Sequence, residues 1–449
     1  MNILFLSHRI PYPPIKGDKI RSFNEVKYLS KEHNLYLAFL IDDKSDLAYL
    51  DELRKYCIGL DCDVITPHFQ KIRTLPYLIT GKPLSVQYFY SKKLQEAIDN
   101  RLKESRIDII ICFSSPMAEY VFRSKLWRLG TTDVENTVSD QNGPARHSAS
   151  YSQIRPNLPK HLKLVMDFVD VDSDKWLQYS KFARFPYSWI YNLEASHLAK
   201  YEQKVAETFD HSLFVSENEV ELFKKQNPHI RNVTAIPNGV DLEYFNSNLC
   251  DSLQTIMDGN KNERQESISH HQPILLFTGA MDYFANIDGV TWFANRVFPL
   301  IKKQIPGIQF YIVGSKPAKE VKALGRNDRI VVTGFVHDTR KYLAKATVFV
   351  APLRIARGIQ NKILEAMAMG IPVVATPQAS QGIQGRVSQD LLVEEKAEDF
   401  AHQVVRLIKD ASLREYFRNN AKSLIENKYS WSKNLKILED LILRSRVKI

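Results

Sequence analysis

The chain has 449 residues, 44% of them apolar and 25% charged, a composition that fits a soluble globular protein with room for several cores. Lys and Arg total 61 against 51 Asp and Glu, a formal charge of +10 that no long basic run concentrates, which suits anionic small ligands or an anionic membrane face and argues against nucleic acid. The four cysteines, Cys57, Cys62, Cys112 and Cys250, complete no zinc pattern and read as reduced thiols, which excludes a disulfide scaffold.

The apolar run that opens the chain ends at Ser7, too early for a signal peptide, and no stretch reaches the roughly 18 apolar residues of a membrane span. A cytoplasmic protein is expected, with any membrane contact peripheral. Asn2–Ser7, Asp108–Phe113, Leu162–Asp167 and Ser212–Ser216 are apolar on both faces and predict buried parallel strands. Helices are predicted over Ser22–Lys31 and Lys92–Glu104. Val233–Val240 is extended, with a turn at Pro237-Asn238-Gly239. The polar stretch Asn246–Gln272 then breaks the rhythm and predicts a surface loop or linker.

Strands resume at Ile274–Gly279, Gln309–Gly314, Ile330–Thr333, Val348–Ala351, Pro372–Thr376 and Leu391–Val393, with helices at Val290–Gln304, Asn361–Met369 and Ala397–Lys409. From Leu413 to Lys448 the pattern is helical, interrupted at Tyr429-Ser430-Trp431, where Ser430 suits an N-cap. The alternation predicts an α/β protein of two doubly wound, Rossmann-like domains. Their expected bounds are 1–232 and 273–428, with a linker and polar loop over 233–272 and a final helix over 429–449.

Gly358 precedes the predicted helix at Asn361, on which Lys362 and Glu365 share a face while Ile359, Ile363 and Met367 mark the buried one. The helix follows the strand Val348–Ala351, and open parallel sheets bind ligands beyond the carboxyl ends of their strands. A helix N-terminus there offers N–H groups and a positive dipole end to an anion. Lys362, Arg354 and Arg357 would add full charges, and Glu365 is placed to accept hydrogen bonds from a sugar diol such as ribose. By spacing alone, Lys362 and Glu365 serve equally well as a solvated ion pair worth about 0.2–0.5 kcal/mol, and Gly358 as a turn glycine.

The stretch from Gly358 to Pro372, GIQNKILEAMAMGIP, resembles the donor-site signature of the retaining glycosyltransferases of family 4. IPNGVD at 236–241, FTGAMDYFAN at 277–286 and VVTGFV at 331–336 are similar to further elements of that family. PYPPIKGDKIRSF at 11–23 and VMDFVDVDSDKW at 165–176 are most similar to the sugar transferases associated with exosortase (PEP-CTERM) exopolysaccharide systems. The resemblance implies a GT-B fold, with two Rossmann-like domains facing a cleft and a helical tail at the C-terminus. It implies transfer of a sugar, with retention, from a UDP- or GDP-linked donor to a hydroxyl of a glycan or lipid-linked acceptor. It implies no cofactor beyond that substrate and no metal. The positive balance and the helical tail suggest peripheral attachment of a cytoplasmic protein to the inner face of a membrane.

Carried onto this chain, the resemblance sets Gly17 and Arg21 across from the donor. It sets Gly279 and Asn286 at the first strand–loop, and Gly334, Phe335 and Val336 against the base. Arg354, Arg357, Gly358, Ile359, Gln360, Asn361 and Lys362 fall around the diphosphate, and Glu365 on the ribose. Asp170, Lys362 and Glu365 are the expected catalytic groups. Closure about Asn238 is expected to exclude water.

Asp167, Asp170, Asp172 and Asp174 follow a strand. Asp167 or Asp170 is expected to line the acceptor cleft, and Asp172 and Asp174 to cap a helix over Lys175–Lys181. A divalent metal is the lesser alternative, since the Gly and final Glu of a calcium loop are missing. Asn142, Arg146 and His147 lie in a polar segment that could also touch acceptor.

Two departures from the family stand out. Arg357 replaces the Glu that the family carries eight residues before Glu365, and the loop from Ala280 to Asn286 lacks the usual Arg and Lys, so Lys362 with Arg354 or Arg357 is expected to carry the charge. A nucleotide-sugar epimerase and a non-catalytic sugar-nucleotide-binding subunit remain the alternatives.

Overall fold

Strands that bury both faces occupy the middle of parallel sheets, and the chain builds two such sheets. The computed structural model describes residues 1–14, 17–124, 158–159, 161–245, 272–356 and 358–444. The chain forms two units, Met1–Ile236 with Ile437–Ile449, and Pro237–Lys436.

In the first unit the strands are β1 (Asn2–Ser7), β2 (Asn34–Ile41), β3 (Gly59–Val64), β4 (Ile109–Phe113), β5 (Lys163–Val169), β6 (His211–Phe214) and β7 (Val233–Ala235). They pair in the order β3-β2-β1-β4-β5-β6-β7, parallel throughout. The chain winds outward from β1, returns beside it as β4, with Ile3 opposite Ile109 and Ser7 opposite Phe113, and winds outward the other way. β1 and β4 therefore flank a switch point. β2 and β3 are additional to the strands expected from sequence. β3 contains Asp61 and Asp63 and buries neither face fully, and Asp61 pairs with Arg101 at 3.1 Å, so it carries no apolar pattern to read.

The helix Gly17–Leu29 starts five residues before its expected beginning at Ser22. Its buried face holds Lys19, Arg21, Ser22 and Glu25, so apolar periodicity appears only from Phe23 onward.

In the second unit the strands are β8 (Ile274–Thr278), β9 (Gln309–Val313), β10 (Ile330–Gly334), β11 (Val348–Ala351), β12 (Val373–Ala375) and β13 (Leu392–Val393). Their order is β10-β9-β8-β11-β12-β13, again parallel, which puts the switch point between β8 and β11. The helical run from Phe284 to Gln304 includes a π turn at Phe293–Val297. That turn accommodates Pro299, which lacks an N–H and crowds the preceding turn.

The 236–241 segment is strapped to the junction before the last helix, Trp431–Arg444. Val240 N donates to Tyr429 O at 2.7 Å, and Asn434 Nδ2 donates to Pro237 O and Asn238 O, both at 3.2 Å. Gly239 permits this approach, since a Cβ there would fall 2.4 Å from Trp431 N. From Ile437 the last helix belongs to the first unit, where Tyr28 Oη donates to Glu439 Oε2 at 2.9 Å.

Cys57, Cys62 and Cys112 are free thiols. Among the described residues, no helix is long and apolar enough to cross a membrane. Cys250 and the expected polar loop up to residue 271, together with Asn142, Arg146, His147 and Arg357, lie outside the described residues.

Candidate functional site

The second unit's switch point gathers residues from two crossovers. β8 ends at Thr278, Gly279 follows, and the helix Phe284–Trp292 carries Asn286. β11 ends at Ala351, and the chain returns as the helix Asn361–Ala368, which carries Lys362 and Glu365. Lys362 Nζ donates to Asn286 Oδ1 at 2.7 Å, and Asn286 Nδ2 donates to Ala280 O at 2.9 Å. The amine also lies 4.5 Å from the centre of the Phe277 ring, a cation–π distance.

Gly279 makes room for this meeting, because a Cβ there would sit 2.8 Å from Asn286 Nδ2 and 3.2 Å from Lys362 Nζ. Gly279→Ala is therefore expected to displace the Asn286–Lys362 pair and, if the expected diphosphate site lies here, to weaken its binding by about 10-fold, the loss of roughly one charge-assisted hydrogen bond. Calorimetric titration with UDP and GDP checks it, alongside a far-ultraviolet spectrum to show that the fold persists.

The helix starts from Gln360, whose carbonyl accepts from Ile363 N at 2.9 Å, and its positive dipole end faces the same switch point, as anion sites do. Asn361 Oδ1 accepts from the buried Asn238 Nδ2 at 2.8 Å. Gly358 takes the left-handed conformation at φ +60°. A Cβ on Gly382 would fall 2.2 Å from Gly358 O, so the turn before the helix is held by close backbone contact. Ile359 is buried beside it.

Burial pushes Lys362 down to about 7, against the attraction of Glu365. Burial likewise pushes Glu365 up to about 7, against the attraction of Lys362. For both groups desolvation outweighs the mutual attraction. Lys362 turns to Asn286 and not to Glu365, so the simple surface ion pair is not what forms. An arriving anion would restore the proton on Lys362, and the carboxylate one turn on remains available as an acceptor.

The other expected donor residues lie further out. Gly334 has φ +72°. Phe335 is exposed, with its ring 5.1 Å from that of His337, and Val336 is half-buried. They lie at the end of β10, two strands from β8 and so roughly 10 Å away. Arg354 is exposed and already paired with Asp288, Nε to Oδ2 at 2.9 Å.

In the first unit the expectations for Arg21 and Asp167 are corrected. Neither lines a surface, for both are fully buried. Arg21 Nε donates to Asp167 Oδ2 at 2.7 Å and Nη1 to Ile236 O at 2.7 Å, and Glu25 Oε1 lies 3.2 Å from Nε. The polar inner face of the helix has turned Arg21 inward to neutralise a carboxylate on β5. Asp167 Oδ1 also accepts from Val169 N at 2.9 Å, where the β5–β6 register shifts and Val169 adopts φ +68°. Gly17 is the exposed first residue of the same helix.

Asp170 lies just beyond β5, half-buried. Its Oδ2 is 3.8 Å from Lys175 Nζ, its Oδ1 has no hydrogen-bond partner, and burial raises its pKa. Asp172 and Asp174 occupy the first turn of the helix Asp172–Phe182, and Asp172 Oδ1 lies 3.4 Å from Lys175 Nζ. Among the described residues, no group of three or more His, Cys, Asp or Glu is disposed to hold a metal ion.

One residue passed over in the sequence is His8. It follows β1 directly, at the switch point beside β4, with Nε2 3.3 Å from Asp18 Oδ2 and its ring parallel to that of Phe113 at 6.0 Å. Its signal was its position, the first residue past a buried strand.

Residues 272–410 match the family described as glycosyl transferases group 1. The matched stretch lies within the second unit. Over 171 residues the chain is 24% identical to an uncharacterized protein of the cps region of Klebsiella pneumoniae, covering 36% of this chain and 44% of that one. It is 28% identical over 176 residues to an uncharacterized glycosyltransferase of Methanocaldococcus jannaschii, covering 37% and 44%. It is 30% identical over 118 residues to the lipopolysaccharide core biosynthesis glycosyltransferase LpsE of Rhizobium meliloti, covering 25% and 34%. The matched stretches thus span under half the length of these relatives.

Similarity of structure extends over the whole chain. Sucrose-phosphate synthase of Thermosynechococcus elongatus superposes with a TM-score of 0.68 at 15% identity, covering 100% of both chains. Anabaena HepE, solved in complex with UDP and glucose, gives 0.63 at 13% identity, covering 98% and 99%. WaaG, a glycosyltransferase involved in lipopolysaccharide biosynthesis, gives 0.58 at 15% identity, covering 98% and 99%. The stretch similar to the group 1 family therefore sits within a GT-B fold, two Rossmann-like units on one chain.

Proposed function

We propose that the protein is a retaining glycosyltransferase, similar to those of family 4 that serve exopolysaccharide biosynthesis. It moves a sugar from a UDP- or GDP-linked donor to a hydroxyl of a glycan or lipid-linked acceptor. The observation that carries this reading is the meeting of Lys362, Asn286 and Gly279 at the β8–β11 switch point, beside the N-terminus of the helix Asn361–Ala368. That combination suits a pyrophosphate, and Glu365 one turn on suits the diol of its ribose. The names of LpsE and of the UDP-bound HepE are consistent with it.

The difficult step is departure of the nucleoside diphosphate. Lys362 and the helix end stabilise charge as it develops on the leaving phosphate, the kind of fixed electrostatic arrangement that usually contributes most to such a step. With attack from the same face, the leaving oxygen takes the acceptor proton, and the donor site needs no base of its own. Asp170, with an oxygen that has no partner, is the group assigned to the acceptor. The reading includes no resident cofactor or metal, and it sets the protein at the inner face of a membrane, held peripherally.

The test is release of nucleoside diphosphate from a panel of UDP- and GDP-sugars, with and without lipid-linked glycan, in the presence of EDTA. Release that requires acceptor is expected, and Glu365→Gln should weaken donor binding by about 10–100-fold, the range for a hydrogen bond to a charged group. Conversion of the donor without acceptor would mark an epimerase. Binding without turnover across the panel would mark a non-catalytic subunit. Either result ends this proposal.

A further inference from the structure

We propose that the first unit docks on an anionic bilayer through two aromatic segments, 67–82 and 181–189. This deepens the peripheral-membrane part of the preceding reading and names the surface responsible.

The first segment is inside out. The helix Pro67–Thr74 buries Gln70 and Thr74 and exposes Phe69 and Ile72, and the 3-10 turns that continue it expose Leu75 and Ile79. In the second segment Phe182, Phe185, Tyr187 and Trp189 are also exposed. All eight side chains are between 54% and 90% exposed. Scattered apolar residues on a surface need no explanation, but bulky ones concentrated in two short segments mark an interaction face.

A carboxylate clasp joins the chain next to the two segments. Glu194, on the helix Tyr187–Thr208, accepts from Leu84 N at 2.6 Å and Ser85 N at 2.9 Å. Ile79 lies five residues before Leu84, and Trp189 lies five residues before Glu194. The clasp therefore ties the chain just after the first segment to the helix in which the second segment ends.

Charge identifies the partner. No Asp or Glu occurs between Asp63 and Glu96, nor between Asp174 and Glu194. Lys71 and Lys82 are exposed in the first segment, and Lys181 and Arg184 in the second. Phe, Tyr and Trp between bare cations match the boundary of an anionic leaflet, where rings settle at headgroup depth and cations meet lipid phosphate.

Flotation of the full chain with phosphatidylcholine vesicles, with and without about one third phosphatidylglycerol, tests the assignment. The chain is expected to float with the anionic vesicles and to release at high salt. Phe69→Ser/Ile79→Ser/Phe185→Ser/Trp189→Ser should lower partitioning by about 100-fold, and Lys181→Glu/Arg184→Glu by about 10-fold with weaker salt dependence. These positions lie outside the donor site, so UDP binding on the same samples should be unchanged and serves as the check on folding. Failure to float with anionic vesicles, or flotation of the quadruple variant like the parent, overturns the proposal. So does concentration-dependent self-association that the quadruple variant abolishes while the parent stays off the vesicles. Absence of UDP binding in the parent would count against the transferase reading alone, since vesicle binding requires no donor.

Discussion

Lys362→Met is expected to lower turnover of the donor by about 100- to 1,000-fold, the usual cost of removing one fixed group that stabilises charge on a leaving oxygen. The apo-protein should not lose stability with it. Burial holds Lys362 at about 7, below its ordinary value, so between about 7 and 10.5 the unfolded chain carries more protons than the folded one. Stability at this site is therefore highest above that window and declines as pH falls through it.

Glu365 acts in the opposite sense. It is raised to about 7, so the folded chain holds more protons between about 4.5 and 7, and stability falls as pH rises there. The pair should give a stability minimum near neutrality, which thermal midpoints across pH would show and which Lys362→Met would remove on the alkaline side. Binding of a diphosphate should be accompanied by proton uptake and should weaken above neutral pH, read by titration in buffers of different ionisation heat. A Lys362→Met protein that binds and turns over like the parent would move the phosphates elsewhere.

Arg21→Leu should destabilise the first unit by about 3–5 kcal/mol, the range for removing one partner of a buried ion pair. It leaves Asp167 and Glu25 buried without their cation and Ile236 O without its donor. Burial, and next the proximity of Asp167, already hold Glu25 well above the ordinary carboxylate range. The variant's deficit should therefore shrink in acid, where both carboxyls can be neutral, and grow as pH rises. Adding Asp167→Leu should recover part of the loss, since an apolar pair can replace a buried ionic one. Urea unfolding gives the free energies, and a loss under about 1 kcal/mol would mean that the Arg21 pair does not hold the helix to β5.

The fold was largely legible in the chain because its interior strands are short and apolar on both faces. β1, β11 and the helices Lys92–Glu104 and Ala397–Lys409 coincide with their sequence expectations. What escaped has a common cause, polar residues on buried or half-buried faces: Asp61 and Asp63 in β3, and Lys19, Arg21 and Glu25 in the helix Gly17–Leu29. β2 is apolar from Leu35 onward but follows Glu32 and His33, with no Gly or Pro to announce it.

For the site, spacing put Lys362 and Glu365 on one helical face. No local pattern could show that Lys362 would bond Asn286, which is 76 positions away. Nor could one show that Arg21 would face inward to Asp167, 146 positions away. Both contacts follow from strand order, which returns β4 beside β1 and β11 beside β8, and strand order is not written in any one segment.

The last helix begins in one unit and finishes in the other. A ribosome completes the first seven strands, which end at Ala235, well before it makes Glu439, the partner of Tyr28. The earliest-made sheet is thus the one whose final brace is synthesised last. A fragment cut after Ile236 would lack that brace, and a usable version of the isolated lobe would need residues 437–444 joined back to it.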